Sequence, residues 1–156
     1  MKKMICIFML AIFSTHLFAG DLLVKEGQSL RSMIDAETTK VIETKKYTFI
    51  NFWATWCLPC VQELPDLVKF SSEQNKNSIT VILVNADEKK SLVEKFLKKK
   101  EIPLTNIIDK DKKMIDAFGI STLPYTFIVN KELKLVRILR GNQNLEKLNE
   151  EALKLQ

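Results

Sequence analysis

Residues 52–60 read FWATWCLPC, which sets Cys57 and Cys60 two residues apart behind Trp53 and Trp56. A cysteine pair at this spacing can ligate metal, anchor a haem, form a crosslink or cycle between dithiol and disulfide. A structural zinc site needs four Cys or His ligands. The only other cysteine, Cys6, and the only histidine, His16, both lie in the first nineteen residues, so zinc is two ligands short. Covalent haem attachment requires CxxCH, and Val61 follows Cys60. A crosslink closing a two-residue loop removes little chain entropy. The reading that remains is a redox couple trading electrons with another protein's thiols. A redox-inert binding module with a structural disulfide is the competing one.

The elements around the pair suit that chemistry. Thr48–Trp53 (TFINFW) is dense in β-branched and aromatic residues and reads as a buried strand. From Pro59 to about Phe70, the apolar residues Val61, Leu64, Leu67, Val68 and Phe70 follow a helical period. Pro59 suits a first helical turn, where its missing N–H costs nothing. Cys57 therefore falls at a helix N-terminus, where free N–H groups and the helix dipole favour its thiolate. Exchange proceeds through the thiolate, so Cys57 is the attacking sulfur and Cys60 resolves the mixed disulfide. Leu58 and Pro59 between them carry no charge.

The first nineteen residues differ from the rest. MKK is a cationic start, MICIFMLAIF an apolar run, and Leu17 and Ala19 stand where a signal peptidase reads small residues. Residues 1–19 are expected to be a cleaved signal peptide, with an uncleaved anchor at the outer face of the inner membrane as the alternative. Residues 20–156 are expected to form one domain: the whole chain, at 46% hydrophobic and 28% charged residues, has the composition of a folded core. Loss of Lys2 and Lys3 leaves 22 basic against 19 acidic residues, a net +3. The basic residues are scattered, so no nucleic-acid footprint is expected. The run Lys98–Lys100 closes an amphipathic helical pattern, where cations suit the dipole, and reads as a solvated face.

NFWATWCLPCVQELP resembles the active-site segment of thioredoxin-like proteins, most closely the exported TlpA- and ResA-like branch that includes the thiol:disulfide reductases of cytochrome c maturation. The resemblance covers about residues 46–156. It implies an α/β thioredoxin-like fold, a mixed central sheet flanked by helices. Pro65 matches the family's kink in the active-site helix, and Ile79–Ala86 its next parallel strand. A helix near Lys89–Lys100, the segment IPLTNIID and a short helix around Lys112–Phe118 resemble the strand–helix insert of the TlpA-like branch. Tyr125–Asn130 and Leu133–Arg140 read as a hairpin. Asn144–Gln156 reads as a closing helix capped by Asn144. In Gly20–Lys45 the family usually opens with a strand or hairpin, whereas SLRSMIDAE looks helical.

The resemblance also implies roles. Pro124, after Leu123, matches the family's cis-proline beside the cysteines, and both should form a shelf for an extended partner chain. Trp56 should cover the active-site surface and touch substrate, together with Pro59, while Trp53 belongs to the core. Thioredoxin proper carries a buried aspartate six residues before its first active-site cysteine, where Asn51 stands here and cannot take a proton. Glu63 matches the glutamate of the branch's CxxCxxExP pattern and shares a helix face with Cys60. It is either the proton acceptor for Cys60 or an ordinary glutamate near the surface. No cofactor is expected beyond the reversible Cys57–Cys60 disulfide. The expected partners are substrate protein thiols and disulfides and a membrane dithiol donor of the CcdA/DsbD type, with the chain acting as a monomer in the periplasm. A reductase, with apocytochrome c as a candidate substrate, is favoured over a disulfide-forming oxidase because no histidine accompanies the CxxC. A thiol peroxidase is a further alternative, with Thr55 two residues before Cys57 but no arginine nearby.

Overall fold

A computed structural model describes residues 22–74 and 79–155; the expected signal peptide lies outside the described residues. Among these, no helix is long and apolar enough to cross a membrane. The elements in chain order are α1 (Ala36–Ile42), β1 (Tyr47–Trp53), α2 (Leu58–Gln74), β2 (Ile79–Asn85), α3 (Lys90–Lys99), β3 (Thr105–Ile108), α4 (Lys113–Phe118), β4 (Tyr125–Asn130), β5 (Leu135–Arg140) and α5 (Leu145–Leu153).

The five strands form one sheet in the order β3-β2-β1-β4-β5. β1 runs parallel to β2, and β2 to β3, while β4 is antiparallel to both β1 and β5. This is the mixed sheet of a thioredoxin-like fold. β1 sits at its centre, and all its residues after Tyr47 are buried. A central strand covered on both faces has no solvent side to alternate with, so its sequence is nearly continuous in apolar residues. Phe49 packs on Phe70 of α2 and Trp53 on Phe96 of α3, whereas Phe52 turns to Phe118 of α4 on the opposite face. Both parallel crossovers, through α2 and through α3, thus lie on one face, as a uniform crossover hand requires. α5 joins α2 there, with Asn149 bonded to Gln74 and Glu73.

Local chemistry sets the boundaries. Asn144 caps α5, its side chain accepting the Lys147 N–H at 3.0 Å. α4 starts where buried Asp109 accepts the N–H groups of Met114 and Ile115, at 3.0 and 2.9 Å. It stops at Gly119, whose φ of 71° suits a residue without Cβ.

Two expectations are corrected. SLRSMIDAE is not a helix: Ser29 bridges to Lys134 beside β5, turns follow, and α1 begins only at Ala36. Asp35 enforces that start, its carboxylate accepting the Thr38 N–H at 2.8 Å. The last strand begins at Leu135 rather than Leu133, because Asn130 gathers the N–H groups of Glu132 and Lys134 into a turn that carries Leu133 at φ 62°.

Candidate active site

The parallel strands β1 and β2 end side by side, and the loops after them build the site, where open α/β sheets place theirs. The Ala86 N–H donates to the Trp53 carbonyl at 3.0 Å. Glu88 then ties the loops together. Its carboxylate accepts the Thr55 N–H and an Asn85 side-chain N–H, both at 2.7 Å, and also the Thr55 hydroxyl. Thr55, Trp56 and Cys57 are thereby fixed to the end of β2 as the chain turns into α2.

Cys57 stands immediately before α2, and its carbonyl accepts the helix's first bond, from Val61 N–H at 3.0 Å. Its Sγ takes the place of an N-cap oxygen, accepting the Cys60 N–H at 3.3 Å. Cys57 and Cys60 are joined as a disulfide of 2.01 Å, with 5.3 Å between their Cα atoms. Both are buried, Cys60 completely and Cys57 to 6% exposure. What surrounds them differs. Trp56 and Leu58, on either side of Cys57, are 70% and 67% exposed, and Pro59 is exposed as well. On the Cys60 side of α2 lies Glu63, at 1% exposure.

Glu63 is therefore no surface glutamate. One carboxylate oxygen accepts the Gln143 N–H at 2.9 Å, and the other accepts the side-chain amide of Asn51. That amide also bonds Thr126 Oγ1, at 3.0 Å, while Asn51 Oδ1 has no partner among the described residues. Burial pushes the Glu63 carboxyl up to about 7; the bonds from Gln143 and Asn51 oppose the rise, and nearby Asp66 adds to it. Asn51 cannot carry a proton, but it holds the group that can.

The Leu123–Pro124 peptide is cis, as the resemblance implies. Pro124 is buried and Leu123 partly so. Leu123 and Trp56 line one groove of about 370 Å³ with Ile115 and Ile120, so the structure brings these two expected substrate contacts together.

Sequence reasoning missed the segment that connects these parts. Between β5 and α5, the Gly141 N–H donates to the Pro124 carbonyl at 3.0 Å, and Asn142 Nδ2 to the Pro59 carbonyl at 2.9 Å. Gln143 N–H reaches Glu63. Three consecutive residues thus staple the cis-proline, the first turn of α2 and the buried carboxylate. Only the Gly-Asn pair ahead of the Asn144 cap hints at a turn there, and no residue type reveals what the turn touches.

Among the described residues, no group of three or more His, Cys, Asp or Glu is arranged to hold a metal. The features expected of a peroxidase are engaged otherwise: the Thr55 hydroxyl is bound to Glu88, Arg31 pairs with Glu43, Arg137 with Glu26, and Arg140 lies over the Tyr125 ring.

The model of the AhpC/TSA family matches residues 30–138. The chain belongs to that family. Among curated proteins it is similar to the thiol-disulfide oxidoreductase ResA of Bacillus subtilis, 32% identical over 143 residues, which span 88% of this chain and 79% of that protein. It is also similar to the ResA of Halalkalibacterium halodurans, 30% identical over 148 residues, 92% of this chain and 84% of that one. Among solved structures it resembles StoA of Bacillus subtilis, with a TM-score of 0.63 and 25% identity over 70% of this chain and 84% of that one. The protein is thus a thiol–disulfide oxidoreductase of thioredoxin-like fold, acting on protein thiols and disulfides.

Proposed function

We propose that this family member is an exported reductase of protein disulfides, with Cys57 as nucleophile, Cys60 as resolving thiol and Glu63 as the proton acceptor for Cys60. The observation that carries the division of labour is the unequal setting of the two sulfurs. Cys57 is at the helix N-terminus beside exposed Trp56, whereas Cys60 is wholly buried on the face of α2 that carries Glu63.

The Cys57 thiolate, favoured by the Cys60 N–H and the helix dipole, attacks one sulfur of a substrate disulfide. The substrate's other sulfur leaves as a thiolate, and a mixed disulfide remains. Cys60 passes its proton to the Glu63 carboxylate and attacks Cys57 Sγ. The substrate's second sulfur departs with its electron pair and takes a proton. Two electrons have moved to the substrate, and the Cys57–Cys60 disulfide is left. A carboxyl titrating near 7 exchanges protons in both directions at neutral pH. Trp56, Pro59, Leu123 and Pro124 form the surface on which the substrate chain lies extended.

The leader pattern of residues 1–19 supports export to the periplasm, with or without retention as an anchor. There a membrane dithiol donor of the CcdA/DsbD type would re-reduce the pair, and the chain would work as a monomer. The absence of histidine from residues 20–156 supports the reducing direction, and the resemblance of the CxxCxxExP segment to the reductases of cytochrome c maturation favours the cysteine pair of apocytochrome c as substrate.

The deciding experiment is the reduction potential of the Cys57–Cys60 couple in defined thiol buffers. A value at or below about −230 mV, in the thioredoxin and glutaredoxin range, agrees with a reductase, while one near about −120 mV, like that of DsbA, makes the protein an oxidase. Hydrogen peroxide turnover in the same preparation would point to a peroxidase instead.

A further inference from the structure

The groove that holds Trp56 and Leu123 has a neighbour that includes Thr55, two residues from Cys57. This second groove encloses about 670 Å³, and its lining combines Leu92 and Phe96 of α3 with Lys89, Lys95 and Lys99. The spacing puts Leu92, Lys95, Phe96 and Lys99 on one face of α3, while Val93 and Leu97 are buried against the core. Among the described residues, none of the three lysines has a carboxylate partner; the ion pair on α3 joins Lys90 to Glu94. Lys95 and Lys99, four residues apart, are like charges on adjacent turns, an arrangement that costs helix stability unless an anion lies between them.

Two further observations tie this face to the active site. Both the N–H and the hydroxyl of Thr55 are held by Glu88, so the edge of the groove and the nucleophile loop form one rigid unit. Of the five exposed large hydrophobic residues among those described, Trp56, Leu58 and Leu92 belong to the nucleophile loop, the start of α2 and this groove.

We propose that this groove docks an acidic segment of the protein partner, carboxylates flanking an apolar side chain, while the partner's cysteine reaches Cys57. The proposal rests on Cys57 as the attacking sulfur. Lys89, Lys95 and Lys99 engage the carboxylates, and Leu92 and Phe96 take the apolar side chain. Complementary charge steers the encounter and selects the partner. A protein segment is favoured over a lipid surface because Thr55 at the edge of the groove is two residues from Cys57, whose substrate is protein.

The test uses the reduced protein and two short peptides, each with an internal disulfide. They are identical except that glutamates or lysines flank a leucine next to the cysteines. The glutamate peptide should be reduced about tenfold faster at low ionic strength, and the ratio should approach one near about 0.5 M salt. The K89E/K95E/K99E variant should reverse the preference. The K46E/K131E/K134E variant, altered at the opposite end of the sheet, should keep it. Equal rates for the two peptides at low salt would overturn the proposal, as would a preference that survives K89E/K95E/K99E. So would an unchanged peptide preference together with lost binding to phosphatidylglycerol vesicles in that variant, which would make the face a membrane contact. Exchange with bis(2-hydroxyethyl) disulfide, which is linear and uncharged, reads the cysteine chemistry separately. Intact exchange in the wild type alongside equal rates for the two peptides at low salt would overturn the docking surface and leave the role of Cys57 standing.

Discussion

Cys57 and Cys60 sit on one turn of one helix, and the protein gives them different surroundings. Around Cys57 the neighbours are exposed: Trp56, Leu58 and Pro59 line the rim, with an apolar groove on one side and a lysine-lined groove on the other. Around Cys60 they are buried and polar: Glu63, Asn51, Thr126 and the Gln143 backbone form a hydrogen-bonded set, with Asn51 Oδ1 left unpaired among the described residues. The side open to water can meet a partner, and the closed side can keep a proton. Two loops maintain the difference. Glu88 fixes the exposed side from the end of β2, and Gly141–Gln143 fix the buried side from the end of β5.

The comparison breaks most severely at the sulfurs themselves. Cys57→Ser should lower exchange by about 10³-fold or more, because Cys60, the other cysteine among the described residues, is completely buried. Cys60→Ser should keep the first attack and accumulate a mixed disulfide, visible as an added mass on the intact protein. An equal loss in both variants without that adduct would mean the sulfurs do not divide the work.

Next in size is Glu63→Gln. Glutamine keeps the acceptor for Gln143 N–H, and its amide can donate to Asn51 Oδ1, which lacks a partner now. The fold should therefore hold, while resolution of the mixed disulfide slows by about 10²-fold at neutral pH. Stability gives an independent reading with a definite sign. The folded protein holds the Glu63 proton to about pH 7, against a normal value of 4.5. The contribution of Glu63 to wild-type stability should then be full below pH 4.5 and be lost as pH rises to about 7, by on the order of 3 kcal/mol. The variant should lack that decline in denaturant titrations across the same range. An unchanged pH profile would show that Glu63 is ionised in the fold and takes no part in proton transfer.

The two fastening loops come last. Glu88→Ala strands the Thr55 N–H and the buried Asn85 amide, at a cost of about 1–3 kcal/mol. It should also alter alkylation of Cys57 more than the titration of Glu63. Asn142→Ala removes one exposed bond to the Pro59 carbonyl and should cost about 1 kcal/mol or less. If Asn142→Ala proves as damaging as Glu88→Ala in thermal melts, the two sides are not held independently.

The sequence by itself determined the chemistry of the pair and the order of the elements. Cys57, Cys60 and Pro59 are neighbours in the chain, so the placement of Cys57 at a helix start is a local matter. The residue patterns of TFINFW, ITVILVNA and the α2 segment are equally local, and the strands begin and end within two residues of the expected bounds, whereas α2 runs on to Gln74 and α5 stops at Leu153. SLRSMIDAE looks helical, whereas the bridge from Ser29 to Lys134 and the Asp35 cap hold that stretch in turns up to Ala36. Only the tertiary structure decided the state of Glu63. Its spacing from Cys60 leaves open a solvated glutamate or a buried acid. The choice is made by Asn51 from β1 and by Gln143, which lies 80 residues downstream. Burial is a property of what folds over a residue, and no local pattern around Glu63 encodes the loop that closes on it.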